Sequence, residues 1–152
     1  MLRWLLAASH LLALGIGLGA VWVRGRALQQ SLDTAAAFRR VFAADAGWGL
    51  AALLWLSTGL WRLLGGLEKG TAYYLQNHVF WTKMGLFLLV LILEIGPMVT
   101  LIQWRRQVAA GTLPDPSAAR RMARISFLQA GLIVLMVFAA TAMARGYGIS
   151  RS

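Results

Sequence analysis

Four long runs of apolar residues, separated by polar connections, dominate the pattern along the chain. The runs extend from Trp4 to Val23, from about Ala46 to Leu64, from Phe80 to about Gln103 and from about Ala123 to Ala144. Each has about the 20 residues that a helix needs to cross a hydrocarbon layer roughly 30 Å thick, and none alternates as a strand would. The pattern predicts an all-α protein, an integral membrane four-helix bundle that forms one domain over its 152 residues.

The first run has a second interpretation as a secretory signal peptide, because Met1-Leu2-Arg3 places a basic residue before the apolar stretch. A signal core is usually only about 7–15 residues long and leads to a small-residue cleavage site. This run is longer and ends at Arg24 and Arg26, which favours a membrane-spanning helix.

The composition agrees with a membrane protein and narrows the available chemistry. The chain is 59% hydrophobic and only 13% charged, whereas soluble domains carry about 25% charged residues. It has no cysteine, which excludes disulfides, iron–sulfur clusters and thiolate-bound metals. His10 and His78 are the two imidazoles of the sequence, too few to favour a zinc site made by protein side chains alone.

The formal net charge of +10 does not indicate a nucleic-acid-binding protein. The arginines cluster at the ends of the apolar runs, where they suit anionic lipid headgroups and the control of topology. No basic face is free of membrane-length apolar sequence. The expected partner of these charges is therefore the lipid bilayer.

The distribution of Lys and Arg predicts the orientation in the membrane. Nine of these residues lie in the connections after the first and third runs: Arg24, Arg26, Arg39, Arg40, Arg105, Arg106, Arg120, Arg121 and Arg124. Six lie on the opposite side: Arg3, Arg62, Lys69, Lys83, Arg145 and Arg151. The nine are expected to face the cytoplasm, which leaves both termini outside.

The connections differ in character. The first, from Gly25 to Asp45, carries apolar residues at helical spacing, so it is expected to extend the flanking helices or to lie on the membrane surface. The second contains Gly65-Gly66, a break, followed by Glu68-Lys69-Gly70. The third contains Pro114-Asp115-Pro116, which cannot continue a helix and predicts a turn.

His10 is a candidate for function because an ionisable side chain costs about 2.5–3.5 kcal/mol at mid-membrane on insertion scales. Its helix face includes Ala13 and Gly17, small residues that allow a neighbouring helix or a flat ligand to come close. One interpretation is an imidazole that forms a hydrogen bond with a neighbouring helix. The other interpretations are that His10 ligates a metal, namely the iron of a haem, or that it contacts a quinone.

Lys83 and Glu94 are further candidates, eleven residues apart on one face of the third run. Their separation of about 16 Å along a helix is too long for a direct ion pair. Lys83 can extend to the membrane interface. Glu94 is either protonated in an apolar setting or paired with a donor such as Gln129 or an arginine of another element.

The threading of the runs places several polar residues at the same depth in the outer leaflet. They are His10, His78, Trp81 and Lys83, together with Thr58, Arg62 and Thr141. A pocket with one imidazole and several cations suits an anionic, planar or lipid-soluble ligand. The stripe of Trp48, Ala51, Trp55, Thr58 and Arg62 favours aromatic packing and interfacial anchoring, although a planar cofactor could stack on its indoles.

Several motifs together resemble an uncharacterised family of small bacterial inner-membrane proteins. They are Asp45-Ala-Gly-Trp-Gly-Leu-Ala-Ala, Thr58-Gly59-Leu60-Trp61-Arg62, Glu68-Lys69-Gly70 with Tyr73-Tyr74, Phe80-Trp81-Thr82-Lys83-Met84, Gly96-Pro97 and Gln103-Trp104-Arg105-Arg106. The resemblance covers nearly the whole chain. It implies a four-helix fold in the bacterial inner (plasma) membrane and no established activity.

A more distant resemblance is to HemJ-type protoporphyrinogen oxidases and CopD-like membrane domains. In HemJ-type proteins a histidine early in the first span, an arginine at its far end and a Trp/Lys pair opening a later span are implicated in haem binding and activity. His10, Arg24, Trp81 and Lys83 occupy similar places here. The resemblance implies a haem site at His10, and it leaves open whether the protein is an enzyme.

Three functional hypotheses follow from these residues. The first is a redox-type membrane protein that holds b-type haem, a porphyrin or a quinone, with His10 as an axial ligand, Lys83 and Arg62 on anionic groups, and His78, Met84 or Met143 as a second ligand. The alternative is a non-catalytic assembly or accessory subunit, or a transport component. Proton or metal-ion transport through Lys83 and Glu94 is a third hypothesis, which would require a homo-oligomer because four spans leave little room for a path.

Overall fold

The computed structural model describes residues 1–64 and 76–148, without the side chains of residues 2, 3, 62 and 63. Four long helices contain most of them: α1 (Leu2–Leu28), α2 (Ala35–Leu64), α3 (His78–Ala109) and α4 (Ala119–Ala144). A 3₁₀ turn at Pro116–Ala118 precedes α4, and the described ranges contain no strand. The predicted all-α fold is confirmed. The predicted break at Gly65-Gly66 and the Glu68-Lys69-Gly70 motif lie outside the described residues.

All four helices are long and apolar enough to cross a membrane. At a rise of about 1.5 Å per residue, each is roughly 39–48 Å long, which exceeds the hydrocarbon thickness of about 30 Å. Their outward faces expose large apolar side chains, including Leu12, Leu53, Ile92 and Phe138. A soluble monomer rarely exposes so extensive an apolar surface, so these faces contact lipid.

The helices extend beyond the predicted spans at the end of the bundle that carries residues 29–34 and 110–118, here called the arginine-rich end. α1 continues past Arg24 to Leu28 and α2 begins at Ala35. The expectation that the first connection extends the flanking helices is confirmed. The predicted spans are shorter than the helices because hydropathy falls at charged residues, whereas helical hydrogen bonds continue through arginine, a good helix former.

The helices are packed unevenly around the bundle. α1 packs against α2 and α4, and α4 packs against α3, whereas the backbones of α2 and α3 come close at few positions in the described residues. Large side chains bridge these two helices, as in the Phe38–Trp104 and Trp55–Phe87 ring contacts. One apolar core, around Phe38, Trp104 and Met122, fills the arginine-rich end. A second core, around Trp48 and Ile133, fills the middle of the bundle. In the described part of the chain, α2 and α3 are therefore joined mainly by long side chains and not by close approach of their backbones.

At the opposite end, here called the terminal end because α1 begins and α4 ends there, Asn77 joins two segments. Its side chain accepts hydrogen bonds from the backbone N–H groups of Val79 and Phe80, and so caps α3. Its Nδ2 also donates to the carbonyl of Tyr147 at 3.1 Å. The backbone N–H of His78 donates to the carbonyl of Gly148 at 3.1 Å. The start of α3 is thus bound to the segment that follows α4.

Candidate functional site

His10, on the third turn of α1, is buried and forms a hydrogen bond to α2. Its Nδ1 lies 2.9 Å from Thr58 Oγ1, and the Thr58 hydroxyl donates to the carbonyl of Leu54 at 2.7 Å. A hydroxyl has one hydrogen to donate, so the Thr58 oxygen that donates to Leu54 can accept an N–H from His10 Nδ1. In the neutral tautomer with its proton on Nδ1, the imidazole has its lone pair on Nε2.

Trp55 of α2 joins His10 to α3. The His10 and Trp55 rings stack with centroids 5.2 Å apart and planes at 20°. The Lys83 ammonium of α3 lies 5.9 Å from the Trp55 ring centroid, within cation–π distance, and the Phe87 ring lies 5.1 Å away. We call His10, Trp55, Thr58 and Lys83 the imidazole site.

A glycine on α2 allows the imidazole to lie this close. A Cβ added at Gly59 would lie only 3.1 Å from His10 Cε1. A larger residue would therefore push the imidazole away from α2 and lengthen its bond to Thr58.

An apolar cavity of about 40 Å³ adjoins Trp55. Residues of all four helices line it: Ala13, Leu14, Gly17, Trp48, Ala51, Ala52, Trp55, Leu56, Phe87, Val90, Leu91, Ile133 and Met136. The indole Nε1 of Trp55 is buried and has no hydrogen-bond acceptor in the described part of the chain. The imidazole site thus combines a few polar groups with an apolar cavity.

A second polar cluster, here called the arginine network, surrounds the fully buried guanidinium of Arg24. The two Nη groups donate to the carboxylate of Glu94 at 2.7 and 2.9 Å. They also donate to Asp45 Oδ1 at 2.9 Å and to Gln129 Oε1 at 2.8 Å. The Nε–H donates to Ser126 Oγ at 3.1 Å. An arginine has five N–H donors, and all five are used here.

Further bonds complete the arginine network. Gln129 Nε2 donates to Glu94 Oε2 at 2.8 Å, and Arg105 Nη2 donates to Asp45 Oδ2 at 2.9 Å. Two guanidinium groups and two carboxylates give the network no net formal charge, and its members come from all four helices. This pairing makes charged groups acceptable at this depth, since an unpaired charge there is costly.

A family model with the description "Predicted membrane protein (DUF2214)" matches residues 2–148. The chain belongs to the DUF2214 family. No curated protein and no solved structure matches it. The predicted relationship to a family of membrane proteins is confirmed, and the resemblance to HemJ-type and CopD-like proteins stays a hypothesis.

In this DUF2214 protein the predicted site residues form two separate groups. His10 and Lys83 both contact Trp55, as their expected common depth predicts. Arg24 follows His10 by fourteen residues on α1, about 21 Å along the axis, and its donors are taken by the arginine network. For Glu94 the structure shows the paired alternative, with Arg24 and Gln129 as partners.

The remaining predicted residues lie toward the terminal end. Trp81 is 55% exposed and packs edge-to-face against Phe80. His78 is exposed at the first position of α3. The side chain of Arg62 lies outside the described residues.

Sequence reasoning missed four members of this DUF2214 protein's polar clusters: Trp55, Asp45, Arg105 and Ser126. For Trp55 the sequence favours packing and anchoring, with stacking of a planar cofactor as the alternative, and the residue shares a helical stripe with Thr58. Asp45 stands at the end of the predicted first connection, because it precedes the second apolar run. The signal that identifies it is the balance of charge, since the fully buried Arg24 requires carboxylate partners.

Proposed function

We propose that this protein is a redox-type membrane protein that binds b-type haem, a related porphyrin or a quinone at the imidazole site. One observation carries the proposal: an imidazole from α1 and an ammonium from α3 meet at the same indole of α2, beside an apolar cavity. Ligand sites usually combine an apolar pocket with a few polar groups; here Trp55 lines the cavity and contacts both His10 and Lys83, which lie outside its lining. With both termini outside the cytoplasm, the site lies in the outer leaflet of a bacterial inner membrane.

The chemistry of the site fits an iron porphyrin. His10 Nε2 carries the lone pair that would ligate iron, and the bond from Nδ1 to Thr58 is the kind of outer-shell contact that orients a ligating histidine. Lys83 supplies a cation for a propionate. When bound, haem supplies one-electron redox chemistry.

The volume of the site fits a porphyrin less well. Drug-sized ligands occupy pockets of about 300–1,000 Å³, whereas this cavity measures about 40 Å³. A macrocycle would therefore have to displace side chains along the α2–α3 interface, where the two helix backbones come close at few positions.

The test is an absorption spectrum of protein purified in mild detergent from haem-replete cells, oxidised and dithionite-reduced, with extraction of bound quinone. We expect a Soret band or a stoichiometric quinone, and we expect His10→Ala to remove it. Thr58→Val should weaken binding, because it removes the acceptor for Nδ1–H. Ser57→Ala is the matched control, since its hydroxyl donates to Leu53 of its own helix. A purified protein that contains neither haem nor quinone would contradict the proposal.

The arginine network favours a second candidate, a non-catalytic assembly or accessory subunit or a transport-related subunit. Its buried charges pair among themselves, so no substrate is needed to explain them. In that case His10→Ala would lower abundance or stability without changing any spectrum. Transport through Lys83 and Glu94 gains no support, because these residues belong to separate clusters.

A further inference from the structure

The indole N–H of Trp55 is a buried donor that lacks an acceptor within the described ranges. Such groups are uncommon in native proteins and call for an explanation. Trp55 lines the cavity together with a second indole, that of Trp48, and the other lining residues are aliphatic, phenylalanine, methionine or glycine. An acceptor oxygen brought by a ligand would satisfy this donor.

The cavity opens toward lipid. Among its lining residues, Ala52 and Leu56 lie on α2 and are partly exposed, and Leu91 of α3 is 40% exposed. The backbones of α2 and α3 come close at few described positions, so that side chains alone separate the cavity from lipid along this interface, and the outer faces of both helices contact lipid. A ligand that reaches Trp55 through this interface must therefore be soluble in the bilayer.

The volume of the cavity and the hydrogen-bonding chemistry of Trp55 then distinguish among haem, porphyrin and quinone as ligands. A cavity of about 40 Å³ can hold the carbonyl edge of a ring, whereas it is far too small for a macrocycle. A carbonyl oxygen is an acceptor that an indole N–H can bind. An isoprenoid tail suits the apolar interface between α2 and α3.

We propose, on the basis of the proposed function, that the ligand of the imidazole site is a quinone, with one carbonyl oxygen accepting the N–H of Trp55. The tail leaves the bundle between α2 and α3. His10 and Lys83 contact the same indole. They would therefore lie on the polar side of the bound quinone ring.

The experiment measures binding of ubiquinone-1 to the full-length protein in detergent by equilibrium dialysis, and quinone extracted from the purified protein. Trp55→Phe keeps an aromatic ring and removes the N–H, so we expect Kd to rise about three- to tenfold, the value of one hydrogen bond. Trp61→Phe is the matched control, because Trp61 lies on the same helix and is 56% exposed. We expect it to bind as the unchanged protein does.

A second pair of variants tests the cavity. Ala52→Leu adds volume at the cavity and should reduce retained quinone to background, whereas Ala46→Leu, exposed on the same helix, should not. A Soret band without quinone would overturn this inference and leave the proposed function standing. Phospholipid as the only extracted molecule, or equal quinone binding by Trp55→Phe and Trp61→Phe, would also overturn it. Absence of both haem and quinone would overturn the inference and the proposed function together.

Discussion

At the scale of single residues, Arg24 shows how a charge within a membrane helix can be structural. Its five donors meet acceptors from α2, α3 and α4. Lysine has three donors on a single nitrogen and lacks the planar fork that binds a carboxylate with two bonds. The position therefore requires arginine in particular and not merely a positive charge.

Replacement of Arg24 should be among the most destabilising changes in the protein. Arg24→Leu leaves Glu94 and Asp45 without their shared partner, and breaking a buried pair in this way costs about 3–5 kcal/mol. Arg24→Lys should cost less, because it keeps the charge. Thermal unfolding in detergent, followed by circular dichroism, measures both.

The control is Arg26→Leu, on the same helix but exposed, which should change stability by no more than about 0.5 kcal/mol. If Arg24→Leu and Arg26→Leu unfolded at the same temperature, the arginine network would not hold the helices together.

At the scale of elements, the ends of the helices depend on a few local contacts. Gly148 has φ +91° and would place a Cβ 2.5 Å from Asn77 Oδ1. Gly146 has φ +88° and nothing within 4 Å of its Cβ position. The two glycines share a left-handed backbone that disfavours other residues, but only Gly148 lies against α3.

This difference predicts unequal effects of two similar substitutions. Gly146→Ala bears only the conformational cost, about 1–2 kcal/mol. Gly148→Ala bears that cost and also separates the C-terminal segment from the cap of α3. We expect faster hydrogen exchange in the first turn of α3 for Gly148→Ala alone. Equal rates of hydrogen exchange in the first turn of α3 in both variants would contradict a stabilising contact between Gly148 and the Asn77 cap.

The 3₁₀ turn before α4 predicts a pH dependence. The Ser117 hydroxyl and backbone N–H both donate to Asp115, and these bonds lower the pKa of the Asp115 carboxyl from its ordinary value of 3.8. A lowered folded-state pKa stabilises the fold above the unfolded value, and this contribution is lost as pH falls through the folded one. The Tm difference between the unchanged protein and Asp115→Asn should therefore be constant near neutral pH and disappear in acid. Ser117→Ala should shrink it at neutral pH.

At the scale of the whole molecule, the sequence predicts the number and type of the membrane helices. It predicts few of the contacts between side chains of different helices. Helix number and class follow from run length, because a lipid-exposed backbone must satisfy its own hydrogen bonds. For a paired Glu94, the cost of a charged side chain in the membrane predicts a partner such as Gln129 or an arginine. The sequence does not identify Arg24 among the arginines, because Arg24 and Glu94 are 70 residues apart. The rotation of each helix about its axis decides which side chains face each other.

The orientation in the membrane rests on a narrow balance, nine Lys and Arg residues against six. Arg24 and Arg105 of the nine are engaged in the arginine network, whereas Arg120, Arg121 and Arg124 at the start of α4 are exposed. Replacing these three with alanine leaves six against six. Since the bias of basic residues in short loops sets topology, we expect this variant to insert in both orientations.

A reporter fused to the C-terminus measures the outcome, with alkaline phosphatase active outside and a fluorescent protein folding inside. The unchanged chain should give phosphatase activity alone, and the triple variant should give both signals. Arg145→Ala removes charge from the opposite side and should keep the single orientation. If the unchanged chain placed its C-terminus in the cytoplasm, the imidazole site would lie in the inner leaflet, and a ligand would have to reach Trp55 from the cytoplasmic half of the bilayer.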